Sequence, residues 1–410
     1  MLHARYVIVL ALALTVGLGA YASGEPEQER IDPLTVPFEE VIESARGTTV
    51  SFFMWGGSDM INAWIDGFVS DRMRELYDIE VDRVPMDAAV FVNKLLTELQ
   101  AGRQVGTTDL MWINGENFRN AKEADLLFGP FAELLPNYQN YVDPQLAATD
   151  AGFPVEGFES PYGKAQFNFD YDTARVTDPP QSFADLSRWV REHPGRFTYP
   201  QPPDFTGSAF IRQAFYAITG GWQQYADGFD QSLFDRNAPA LWTFLNDIEP
   251  FLWERGETYP RDLAALDGLF ERGEVDITMS FTQTNAASRI ANGRYPATVR
   301  SFVMEDGSLF NTHFVAIAFN APNPAGAMVL ANFLLSPEAQ LSKNRVENWG
   351  DFTVLDLNRL SDEDRAAFEA LDLGAATVPI AELDRAGVPE IPSEYWEALE
   401  AGWDANVRLR

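Results

Sequence analysis

A chain of 410 residues is longer than one compact domain usually is, so two lobes are expected; 46% hydrophobic residues, with 10 Trp, 30 Phe and 13 Tyr, exclude a wholly disordered chain. Sixty-one acids against 30 bases leave a net charge of −31, which argues against nucleic acid as a partner; an acidic surface with only four lysines reads first as solvation in a salty habitat, and only weakly as a field favouring a cationic ligand. The absence of cysteine excludes disulfides, thiolate metal sites, thiol nucleophiles and a lipid-modified N-terminal cysteine.

Residues 1–22 read as a signal peptide. His3 and Arg5 precede the apolar run Tyr6 to Gly19, and Ala20-Tyr21-Ala22 forms an A-x-A cleavage pattern, so export to the periplasm with cleavage after Ala22 is expected. A retained anchor is the alternative, although the run is short for a bilayer span. Residues 23–45 form a Glu- and Pro-rich leader joined to a short helix.

Val50 to Trp55 has strand length and ends in Gly56-Gly57. Ser58 then caps a helix whose apolar positions Ile61, Trp64, Ile65, Phe68, Met73 and Leu76 recur at helical spacing. Ile79 to Val84 is a second strand, a second helix carries Val92, Leu95, Leu96 and Leu99 and stops at Gly102, and Asp109 to Ile113 is a third strand. This β-α-β-α-β order predicts a mostly parallel sheet flanked by helices. Tyr162 to Tyr171 alternates as one long strand, a helix runs from Ser182 through His193, Phe197 to Tyr199 is a short strand, and a helix starts after Asp204. Val275 to Phe281 and His313 to Phe319 are later strands, and a helix covers Ala325 to Leu335.

The strands at 162–171 and 313–319 bracket a middle segment with its own α/β pattern. A chain that leaves one lobe and returns to it crosses twice, which predicts a two-strand hinge and closure around a ligand. The expected division is a first lobe from 46 to 165, a second from 166 to 312, and a return from 313 to 410 that completes the first lobe and ends in helices.

At this point the motifs resemble a known family, the type 2 periplasmic binding proteins of bacterial ABC importers. NPAGAMVLANFLLSPEAQ (323–340) resembles the family's late helix, and EVDITMS (274–280) its segment before a loop lining the cleft. FMWGGSDMINAWID (53–66), DLMWINGENF (109–118), GFESPYGKAQFNFDYDTARV (157–176), PGRFTYPQPPDFTGSAFI (194–211) and NTHFVAIAFNAP (311–322) are similar to the YnjB-like branch, itself related to thiamine-binding proteins. The resemblance covers nearly the whole mature chain. It implies an α/β fold of two lobes, each with a mostly parallel sheet, and a non-catalytic monomeric receptor that hands a small molecule to a membrane permease.

Ligands of open α/β sheets bind beyond the carboxyl ends of strands, and four places qualify. Trp55 offers a stacking face beside Gly57 and the helix-starting Ser58, unless Trp55 belongs to the core. Asn114, Glu116 and Asn117 suit a polar or cationic group, with helix capping as the alternative. Asp204, Thr206, Gly207 and Ser208 open a helix whose amides suit a phosphate or carboxylate, again unless the side chains only cap it; thiamine-binding relatives place a comparable Ser/Gly helix start near the ligand's phosphate end. Ser280, Thr282 and Gln283 follow a strand as a polar loop, with a helix cap as the plain reading. Trp349 and Tyr171 are further candidates for stacking, weighed against ordinary packing.

Nothing points to a cofactor or a metal. His193 and His313 stand apart, and H-E-x-x-H, G-x-S-x-G, Walker and G-x-G-x-x-G patterns are missing. His313 reads as a hydrogen-bonded structural histidine. Two other functions stay open: an envelope glycoside hydrolase, because 61 acids always allow some suitable pair, and a receptor that feeds a sensor instead of a transporter.

Overall fold

The computed structural model describes residues 31–144 and 147–408. The expected signal segment lies outside the described residues. Among those described, no helix is long and apolar enough to cross a membrane.

The first lobe is built on the expected β-α-β-α-β run. After α1 (Phe38–Ala45), strand β1 (Thr49–Met54) pairs in parallel with β2 (Glu80–Pro85) and β3 (Leu110–Ile113). The helix between β1 and β2 runs as α2 (Asp59–Ala63), a π-helical turn over Trp64–Val69, and α3 (Ser70–Tyr77). Helix α4 (Ala88–Gln100) links β2 to β3, and α5 (Gly115–Glu123) leads to β4 (Leu127–Phe128). Helix α6 (Pro136–Tyr141) and the hairpin β5 (Thr149–Asp150) and β6 (Phe153–Pro154) complete this stretch. Strands β1 and β3 are mostly buried, as inner parallel strands require, whereas β2 (EVDRVP) at the sheet edge has no fully buried residue.

The long strand expected at 162–171 is split. Strand β7 (Glu159–Gln166) pairs with the first sheet, Phe167 breaks the run, and β8 (Asn168–Asp172) opens a second sheet. Helices α7 (Phe183–Glu192), α8 (Phe205–Thr219), α9 (Gln231–Ile248) and α10 (Leu263–Glu271) follow, then β9 (Ile277–Ser280), α11 (Asn285–Ala291) and β10 (Val299–Phe302). Here the expectation needs two corrections. The second sheet, ordered β10-β8-β9, is antiparallel throughout, because β8 runs out from the crossing and both neighbours run back towards it. Residues 197–199 form no strand; the Phe197 carbonyl accepts from the Trp253 amide and the segment lies buried.

Strand β11 (Ser308–Ala318) returns to the first sheet, antiparallel to β7 and β3, with a register shift between His313 and Phe314. Helices α12 (Pro324–Leu334), α13 (Pro337–Asn344), α14 (Asp362–Glu369) and α15 (Ile380–Ala386) lead to β12 (Gly387–Pro389), which pairs with the start of β11, and to α16 (Ser393–Trp403). Two large apolar cores result, beside a small cluster of Val303, Val378 and Leu383. Phe52, Leu110, Phe118, Phe314 and Leu330 lie in the first; Phe169, Phe210, Leu241 and Val299 lie in the second. The C-terminal residues Ile391, Tyr395, Leu399 and Trp403 pack into the second core, although the sequence reading placed them with the first lobe. Their attachment is long-range and leaves no local trace.

Candidate functional site

Most of the expected residues lie on segments along the boundary where the two cores meet. The turn after β1 sits at this boundary, since Asp59 lies 3.7 Å from Arg294 and Met60 accepts a weak bond from Asn292 of the second lobe. Ser58 caps α2 through a 3.5 Å bond from the Ile61 amide. The Trp55 ring lies across Gly57, where a Cβ would come within 2.2 Å of it, and Trp55 remains 37% exposed. Part of Trp55 is therefore open to solvent.

Beyond β3, Asn114 is held internally: Trp112 Nε1 donates to its Oδ1 and its Nδ2 donates to the Thr312 carbonyl. Gly115 starts α5 with positive φ, and its amide donates to Asp150. Glu116 and Asn117 line a pocket of about 380 Å³ with Val92, Asn93, Leu96 and Glu397. Burial, reinforced by the charge of Glu400, pushes the Glu116 carboxyl up to about 7. Its Oε2 is buried with no hydrogen-bond partner among the described residues. A pocket of about 410 Å³ between α7, α8 and α9 contains none of the expected residues.

On the second lobe, Asp204 caps α8 by accepting from the amides of Thr206 and Gly207, 3.0 Å each, and it also accepts from Leu263. Burial pushes Asp204 up to about 6 against the pull of those amides. Gly207 packs against the Pro200 carbonyl, and the Ser208 amide already bonds Asp204 within the helix. The amides expected to receive a phosphate are thus occupied, which corrects that expectation. Phe205, between them, is 42% exposed and packs tilted against Phe281 and edge-on to Trp396. Ser280 Oγ accepts from the Thr282 amide, and Gln283 Nε2 donates to the Lys164 carbonyl, so both support the loop. Thr282 itself is half-buried.

Two stacking candidates do not join this set. Trp349 is 2% exposed, packed with Trp64, Trp112, Tyr162 and His313. Beneath it, Lys343 and His313 both bind Asp351, at 2.6 and 3.1 Å. Burial raises the Asp351 carboxyl, but Lys343 and His313 together pull it below the usual range. Tyr171 meets Phe302 edge-on and pairs with Ile277, at the end of the second sheet remote from the crossing.

The structure also gathers residues that sequence reasoning missed. Arg212, fully buried, makes a fork-on-fork pair with Glu390 at 2.9 Å, lies 3.9 Å over the Trp396 ring and donates to Ser208 Oγ. Ser208 Oγ in turn donates to Glu400. Burial raises the Glu400 carboxyl as well, and the charge of Glu400 reaches Glu116 from the other side of the boundary. The signal for Arg212 was an arginine on a helix face otherwise made of Phe210, Ile211, Phe215 and Tyr216, and an arginine so buried needs a partner.

Residues 69–354 match the family described as bacterial extracellular solute-binding protein. The chain belongs to that family. It is 40% identical over 336 residues to Protein YnjB of Escherichia coli (strain K12), covering 81% of this chain and 86% of that one. Among solved structures, the periplasmic binding protein AfuA from Actinobacillus pleuropneumoniae (exogenous fructose-6-phosphate bound) aligns with a TM-score of 0.63 at 14% identity, covering 88% of this chain and 99% of that one. The spermidine/putrescine ABC transporter substrate-binding protein PotD from Streptococcus pneumoniae gives 0.60 at 17%, covering 88% and 99%. A periplasmic thiamin binding protein gives 0.57 at 18%, covering 88% and 96%. The fold is the two-lobed type 2 periplasmic-binding architecture, and the family places this solute-binding protein with the ABC transporters.

Proposed function

We propose that this solute-binding protein is an extracytoplasmic receptor that closes on a small organic cation and delivers it to an ABC permease. One observation carries the choice of a cation: Glu116, at the boundary of the lobes, has a buried carboxylate oxygen with no partner among the described residues. A positive group there supplies the missing partner and favours ionisation of an acid otherwise pushed up to about 7. The open ring of Trp55 adds a face suited to a cation.

The occupied amides of α8 weigh against a phosphorylated ligand bound there, since Asp204 already supplies the negative charge. Thiamin and the polyamines, named for two structures of like fold, are both organic cations. Mass spectrometry of material carried through purification, then calorimetric titration with thiamine, thiamine monophosphate and spermidine, tests the reading. Binding of a cationic compound in the micromolar range or tighter supports it. Failure of all three to bind below about 100 μM, too weak for a transport receptor, overturns the thiamine and polyamine assignments.

A further inference from the structure

We propose that α16 is a latch that travels with the second lobe and clips onto α5 of the first. It rests on the receptor reading only for the premise that the lobes separate. The helix is rooted in the second lobe by Tyr395, Leu399 and Trp403, by a 3.0 Å bond from Trp403 Nε1 to the Tyr199 hydroxyl, and by the Tyr395 hydroxyl, which accepts from the Asp230 amide. The Arg212–Glu390 pair just ahead of it is buried on both sides, and Ser208 holds Glu400.

Its hold on the first lobe is of another kind. Arg119 of α5 pairs with Glu394 at 2.9 Å and with Glu397. The arginine side chain is 9% exposed, but the two glutamates are 46% and 50% exposed. Beside them the Trp396 ring rests on Gly115, where a Cβ would come within 2.5 Å. Half-exposed ion pairs and one ring contact on glycine break more readily than a buried core and a fork-on-fork pair. Separation of the lobes therefore parts α16 from α5, not from α8. The root of the latch is well placed, since β12 pairs with the first residues of β11, next to the crossing.

The latch adds a closing force that needs no ligand. An ion pair exposed on its acidic side shifts a two-state ratio by about fivefold, so loss of both pairs raises the open fraction several-fold. Because the chain lacks cysteine, Gln100→Cys on α4 and Ser232→Cys on α9 give a clean spin-labelled pair spanning the lobes. Pulsed electron resonance distances are measured without ligand in this parent, in Arg119→Gln, in Glu394→Gln/Glu397→Gln, and in the swap Arg119→Glu/Glu394→Arg/Glu397→Arg. The latch requires a larger long-distance population in the first two variants and its reversal in the swap. Parent-like distributions in both neutralised variants overturn it. If Arg119→Gln fails to fold by circular dichroism, the double glutamine variant, altered at half-exposed positions, decides alone. Failure of the titrations with thiamine and spermidine leaves this result standing, because the distances are read without ligand.

Discussion

In the proposed receptor, Trp55 and Glu116 carry ligand capture. A desolvated ring–cation contact is worth about 2 kcal/mol, so Trp55→Ala is expected to weaken the best cationic ligand roughly thirtyfold in calorimetric titration. A dissociation constant within twofold of the parent's contradicts the clamp. Glu116 titrates near 7 in the fold, where an unfolded glutamate titrates near about 4.3. The folded chain thus holds a proton that the unfolded chain has released, and stability falls as pH rises from about 4.5 to about 7. Glu116→Gln removes that contribution. The drop in melting temperature between pH 5.5 and 8 should be smaller in the variant, and an unchanged drop refutes the assignment. Asp150, Asp170 and Asp204, pushed up to about 7, 6 and 6, leave a residual slope of the same sign in both proteins. A ligand cation bound by ionised Glu116 should bind more tightly at pH 8 than at pH 6, and this dependence should flatten in Glu116→Gln.

Between α13 and α14, the segment 345–352 joins the lobes as a short strap. Thr284 Oγ1 donates to the Gly350 carbonyl and Ser288 Oγ to that of Val346, while Asp351 is gripped by Lys343 and His313. Gly350 has φ near +80°, and a Cβ there would stand 1.6 Å from Thr284 Oγ1, so both backbone and space demand glycine. Gly350→Ala should cost about 1–3 kcal/mol in denaturant unfolding, and an unmoved midpoint refutes this. Lys343→Met leaves the buried Asp351 with only His313, and loss of about 3–5 kcal/mol is expected in the same measurement. Trp349 was legible as an aromatic beside two acids, not as the lid of this buried pair. The start of α8 was legible too. What its sequence did not reveal is that Asp204 folds back on the amides that a free helix start would offer to an anion.

Across the whole molecule, two crossings at Phe167 and at the start of β11 allow one lobe to rotate against the other. Small-angle scattering should show a smaller radius of gyration when the best-binding cation is present at saturation. An unchanged profile contradicts closure. The strap at 345–352 and the proposed latch at α16 lie on this same boundary.

Much of this was written locally. The β-α-β-α-β run, the caps Ser58, Ser182 and Asn323, and the crossing strands follow from spacings of two or 3.6 residues and from side chains that bond amides within a few positions. Such signals act over a turn or a strand, so the sequence by itself determined the order and kind of elements in the first lobe's β-α-β-α-β run and which of its loops end at strand tips. Tertiary structure decided the rest. The split of one alternating run into β7 and β8, the antiparallel second sheet, the burial of Trp349 and the joining of Arg212 to Glu390 each depend on partners far along the chain. The attachment of α16 to the second core is the largest such case, because an amphipathic helix specifies that it must bury a face but not which core receives it.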